Sequence, residues 1–195
     1  MKQVITTHAL RLLSGAFVVL SFTQCTKDVA DRDAMAAKMQ NASLNLKKEY
    51  RVSLDALNRS GVHGTATLVL EGNQLTVTVN AMGLEAGKPH PQHIHGFMDN
   101  TRNSTCPTMT ADTNGDGIVD LPEGLPSYGP VLLELGPMPM ADAEGRVMYT
   151  HTFEITKDLL PLQNRAIVLH GLTVNGEYIP TLPVACGQVM TVSGE

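Results

Sequence analysis

An antiparallel all-β domain, a Greek-key sandwich or barrel of about seven to eight strands, is the fold class predicted for residues 49–195. Three observations predict it. Short runs of alternating apolar and polar residues recur from Glu49 to the end of the chain. Turn-forming clusters rich in Gly, Asn and Pro separate those runs. No stretch in this region carries a sustained helical period of apolar residues.

The elements follow in order. Tyr50-Arg51-Val52-Ser53-Leu54 alternates, and Asn58-Arg59-Ser60-Gly61 then turns the chain. Val62 to Leu70 is the next strand, and Glu71-Gly72-Asn73 is a hairpin signal. Leu75, Val77 and Val79 share one face with Thr76 and Thr78 on the other, the cleanest alternation in the sequence. Gly83 to Pro91 connects to a strand centred on His93-Ile94-His95. Asp99 to Tyr128 is a loop whose length is uncommon in a compact domain unless it has a function. Val131 to Leu135, Arg146 to Ile155, Ala166 to Gly171 and Val184 to Val192 supply the remaining strands.

The chain before Glu49 has a different character. Lys2 and Arg11 precede an apolar run from Leu12 to Phe22, and Cys25 follows. The run is too short to span a bilayer and matches a secretory signal peptide. A cysteine just past such a run marks residues 1–25 as a signal peptide with Cys25 as a bacterial lipoprotein acylation site. The preceding Phe22-Thr23-Gln24 departs from the usual small-residue box, which leaves an ordinary signal peptide as the alternative. Residues 26–48 are polar and Ala-rich and read as a tether or short helix. The expected address is therefore the cell envelope, in the periplasm or at the outer membrane, with the N-terminal lipid as the membrane contact.

Apolar residues make up 43% of the sequence, enough for a packed core, and there is no Trp. The net charge of −5 provides no basic footprint for nucleic acid. If Cys25 carries lipid, Cys106 and Cys186 remain as an even pair in an oxidising compartment, where one disulfide is expected.

Two segments carry metal chemistry. His93 and His95 flank one apolar residue, so on a strand both imidazoles face the same way while Ile94 enters the opposite layer. Two such imidazoles form half of a copper or zinc site. The second segment is Asp112 to Glu123, DTNGDGIVDLPE. Asp112, Asn114, Asp116, Asp120 and Glu123 occupy the oxygen-ligand positions of a twelve-residue calcium loop. Ile118 offers its carbonyl, and Gly117 sits where the sharp turn needs it. Pro107 before the loop and Pro122 within its last turn predict non-helical flanks, an isolated loop between strands.

Taken together, these residues resemble the copper/zinc superoxide dismutase family. The family's order of a His, two residues and an HxH is met by His90, His93 and His95. An Asp-Asn-Thr follows at Asp99-Asn100-Thr101, and then Cys106. Arg165 stands five residues before His170, and Ala185-Cys186-Gly187 closes the pattern. The resemblance covers residues 49–195. It implies a copper-dependent oxidoreductase acting on superoxide, with His93, His95 and His170 as copper ligands, His90 as a structural histidine, and a Cys106–Cys186 bridge.

The departures are equally specific. No histidine lies between Cys106 and Tyr149, so the family's zinc loop is missing and the calcium-like segment takes its place. Zinc is therefore not expected, and copper lacks the bridging imidazole unless His151 or His63 supplies a fourth ligand. Pro183 stands where the family has the arginine that guides its anionic substrate. These losses count against full dismutase activity, and leave a non-catalytic copper-binding or storage protein, or a structural β-sandwich, as alternatives.

Overall fold

The first three strands each bury every second side chain. In a computed structural model that describes residues 31–35 and 47–192, β1 (Lys48–Ala56) buries Tyr50, Val52 and Leu54. β2 (His63–Glu71) buries Ala66, Leu68 and Leu70, and β3 (Gln74–Met82) buries Leu75, Val77, Val79 and Ala81. This period of two is what a sheet with one face on a core requires. β4 is Gln92–His95, β5 Val131–Glu134, β6 Arg146–Glu154, β7 Ala166–Val174, β8 Glu177–Gln188 and β9 Met190–Thr191.

All the pairings are antiparallel, in the order β5-β4-β7-β8-β1-β2-β3-β6, with β9 beside β1. The domain is thus all-β, as expected. Nine strands are found among the described residues, because the expected last strand is divided into β8 and β9. The main core gathers Leu54, Leu68, Val77, Ile94, Ile167 and Leu169 from both ends of this order.

β7 departs from simple alternation. Every residue from Ala166 to Gly171 is buried. Ile167 and Leu169 enter the main core, whereas Ala166 and Val168 join Tyr128 and Cys186 in a second cluster on the opposite face. Leu57, Leu125 and Cys106 pack against that cluster. The long connection between β4 and β5 therefore covers one face of the sheet, and the Cys106–Cys186 disulfide fastens it there.

That connection is more ordered than the sequence suggested. It contains a 3-10 turn at Met109–Ala111 and an α-helix, α1 (Leu121–Tyr128). The expectation of non-helical flanks is corrected on the C-terminal side. Asp120 caps α1 by accepting from the Glu123 N–H (3.1 Å), and Glu123 reaches back to the Asp120 N–H (3.1 Å). Pro122 lies in the first turn, where its missing N–H costs the helix nothing.

The chain divides into two units, Met1–Asn41 and Ala42–Glu195. In the first, residues 31–35 are helical. The expected signal peptide, Cys25 and most of the tether lie outside the described residues. Among the described residues, no helix is long and apolar enough to cross a membrane.

Candidate metal site

The sheet itself assembles three imidazoles. β4 lies beside β7, pairing His93 with Val168 and His95 with Ala166. Ile94, between the histidines, is fully buried in the main core, so His93 and His95 project to the other face, beneath the long connection. The ladder shifts register on both sides of His170, next to Gly171. Gly171 has φ +109°, and a Cβ there would meet the Tyr178 hydroxyl and, at 3.0 Å, His90 Nδ1. Glycine thus lets β7 kink where His170 joins the other two rings.

One ligand atom each of His93, His95 and His170 lies within 4.8 Å of the others. Backbone carbonyls fix two of the tautomers. His95 Nδ1 donates to the Gly129 carbonyl (2.8 Å), and His170 Nδ1 donates to the Thr181 carbonyl (2.9 Å). Each ring then presents Nε2 with a free lone pair. Those two Nε2 atoms, with Nδ1 of His93, are buried and have no hydrogen-bond partner. Burying an imidazole nitrogen without a partner is costly, and three that converge match a metal ion as the missing partner.

Burial also holds the rings neutral. Desolvation dominates at His170, whose pKa falls to about 3, and at His95, where it falls to about 4. At His93 burial again lowers the pKa, opposed by Glu134, which faces it across the β4–β5 pair. A neutral imidazole is the form that ligates.

α1 closes one side. Tyr128 stands edge-on to His95, with ring centroids 4.6 Å apart, and Gly129 directly follows the helix. Gly129 has φ +83°, and a Cβ on it would lie 2.6 Å from the Gly96 carbonyl oxygen. This glycine allows the chain to bring its own carbonyl onto His95. Tyr128 was not singled out from the sequence, where nothing distinguishes it from a core tyrosine. A cavity of about 350 Å³ opens over the triad, lined by His93, His95 and His170 with Pro91, Leu121, Val131, Met138, Pro180 and Thr181.

The other candidate residues lie elsewhere or play supporting parts. His90 is buried, with Nδ1 2.9 Å from the His170 carbonyl and Nε2 3.1 Å from that of Glu85. Neither nitrogen is left for a metal. His63 is exposed at the start of β2, its Nδ1 bonded to the Gly61 carbonyl (3.0 Å). His151 is exposed on β6 between the rings of Tyr149 and Phe153. Neither belongs to the group of three. Arg165 is fully buried and donates to the carbonyls of Leu159, Phe97, Asp158 and Leu160, at 2.9 to 3.1 Å. It pins the turn after β4 to the segment before β7.

In the Asp112–Glu123 loop, polar side chains turn onto the backbone. The Asp112 carboxylate accepts from Gly115 and Gly117, Asn114 from Asp116, and Asp116 from Ile118. Glu123 accepts from Asp120, Thr113 and Asn114, and these bonds, Asp120's first, hold its carboxyl below the usual range. Val119 is anchored from outside the loop. Asn58 accepts its N–H (2.7 Å) and donates to both its carbonyl and that of Pro183 (2.9 Å each). Among the described residues, the histidine triad is the group in which three side-chain metal ligands converge.

Three imidazoles on a rigid sheet with one open side suit zinc, copper, iron or nickel. No protein-family model matches the chain, and no curated protein matches it.

Proposed function

We propose that this chain is a copper-binding, superoxide dismutase-like lipoprotein of the cell envelope, with its copper on His93, His95 and His170. The observation that carries the reading is the set of three buried, unpartnered imidazole nitrogens facing one point. The motif resemblance supports copper as the metal, and the antiparallel strand order is compatible with the Greek-key barrel of that family. Copper held by His93, His95 and His170 would supply one-electron chemistry, by which one superoxide is oxidised to oxygen and another, with two protons, is reduced to hydrogen peroxide. The protein's part is to orient the rings through the carbonyls of Gly129 and Thr181, keep them neutral, and restrict water with an apolar rim.

In the same reading, Asp112, Asn114, Asp116, the Ile118 carbonyl, Asp120 and Glu123 take a calcium ion that stiffens the connection over the site. Chelating calcium should then increase proteolysis between Asp112 and Glu123; equal cleavage with and without calcium would remove this part.

A non-catalytic copper-binding or storage role is the second reading, and one observation favours it. The cavity over the triad has no Lys or Arg in its lining to hold an anion. Superoxide consumption by the copper-loaded full-length chain, beside a His93→Ala His170→Ala variant, separates the two. Rapid consumption lost in the variant supports the enzyme. Histidine-dependent copper binding with no activity above free copper supports storage.

A further inference from the structure

Among the described residues, methionine dominates the large apolar side chains left on the surface. Met35, Met82, Met98, Met109, Met138, Met140, Met148 and Met190 are all exposed. Of these, Met138 alone lines the cavity over the histidine triad. It lies in the segment Gly136-Pro137-Met138-Pro139-Met140, just after β5, and is 51% exposed. Pro91, Leu121, Val131 and Pro180 form the rest of the rim and offer no side-chain donor atom, so Met138 and Thr181 are the heteroatom-bearing side chains there besides the imidazoles.

We infer that Met138 is a soft fourth ligand of the triad, which recognises Cu(I) and admits it from solvent. The inference rests on the copper reading of the three histidines and adds the oxidation state in which the metal is taken up. The chemistry has three parts. A thioether is a soft donor that favours Cu(I) over harder divalent ions. Methionine is unbranched and has three rotatable bonds, so an exposed Met138 can swing between solvent and the cavity without backbone movement. The apolar rim provides no carboxylate or cationic group, which suits an ion of low charge. The Thr181 hydroxyl is a hard donor, and its backbone carbonyl is already occupied by His170 Nδ1.

The test uses the full-length chain under anaerobic, reducing conditions. Cu(I) affinity is measured by competition with bicinchoninate, and the ligand atoms by X-ray absorption at the copper edge. Met138→Leu keeps the apolar volume, so a packing role alone predicts no change. The expected result is an affinity for Cu(I) lowered about tenfold and loss of a sulfur scatterer present in the parent. Zn(II) affinity should stay within about twofold of the parent. Met140→Leu, outside the cavity, should change neither. Parent-like Cu(I) affinity in Met138→Leu, or a parent spectrum without sulfur, would overturn the role of Met138 while leaving the triad intact. If His93→Ala His170→Ala binds Cu(I) as tightly as the parent, the copper reading of the triad falls, and the role of Met138 with it.

Discussion

His170 lies directly opposite Pro183 across the β7–β8 ladder. Proline offers no charge at the position where the resemblance to the dismutases implies a guiding arginine. Its carbonyl is taken by Asn58, which also binds both backbone groups of Val119. The pairing thus joins the histidine triad to the acidic loop through the side-chain amide of Asn58, without a cation.

Electrostatic steering produces rates that fall steeply as salt screens the attracting field. With no cation lining the cavity, any superoxide consumption by the copper-loaded chain should change less than about twofold between about 0.01 M and 0.15 M ionic strength. Stopped-flow decay of superoxide measures this. A steep fall with salt would reveal a guiding cation elsewhere, for which Arg102, stacked on Phe97, would be examined first.

The apo protein should weaken in mild acid. Folded His95 and His170 have pKa values of about 4 and about 3, against 6.5 for an unperturbed imidazole. As pH falls below 6.5 the unfolded chain takes up protons that the folded chain refuses, so acid favours unfolding. The contribution is complete above pH 6.5 and is lost progressively down to those lower values. Urea melts at pH 7 and pH 5 should differ by roughly 2–4 kcal/mol from these two groups, with His93 acting in the same direction. Equal stability at both pH values would show that the rings are not held neutral.

Cys106 joins the covering connection to β8 across 80 residues of sequence. Cys106→Ser should lower stability by about 2–5 kcal/mol. Because the connection also carries Gly129 and Tyr128 to His95, metal affinity should fall as well. Calorimetry checks the first effect, and an unchanged melting temperature would count against a structural bridge.

Arg165 binds four carbonyl oxygens from a fully buried position. Arg165→Met retains much of the volume but orphans those acceptors, at about 3 kcal/mol or more in total. Chemical denaturation should show it; a loss below about 1 kcal/mol would mean that water replaces the guanidinium.

Much of this architecture was legible in the sequence because a half-buried strand writes its period into the residue order. Leu75, Val77 and Val79 predicted β3, and the placement of His93 and His95 on one face followed from the same rule. The helix α1 was not legible. Pro122 argued against helix, and Asp120 and Glu123 were read as calcium-loop ligands. The hydrogen bonds show the capping box, and one pair of residues can satisfy both patterns in sequence. The proximity of His170 to His93 and His95 depends on the β4–β7 pairing, which no local period encodes; only the family resemblance pointed to it. The Gly129 and Thr181 carbonyls were invisible for a different reason, since backbone acceptors are the same at every residue.

The most direct measurement is a Cu(II) titration of the full-length chain followed by electron paramagnetic resonance, beside His93→Ala His170→Ala. One equivalent of tightly held copper is expected, with nitrogen hyperfine coupling from imidazoles, and both should be lost in the variant. A copper signal unchanged by the two substitutions, or no stoichiometric uptake, would contradict copper binding at the triad.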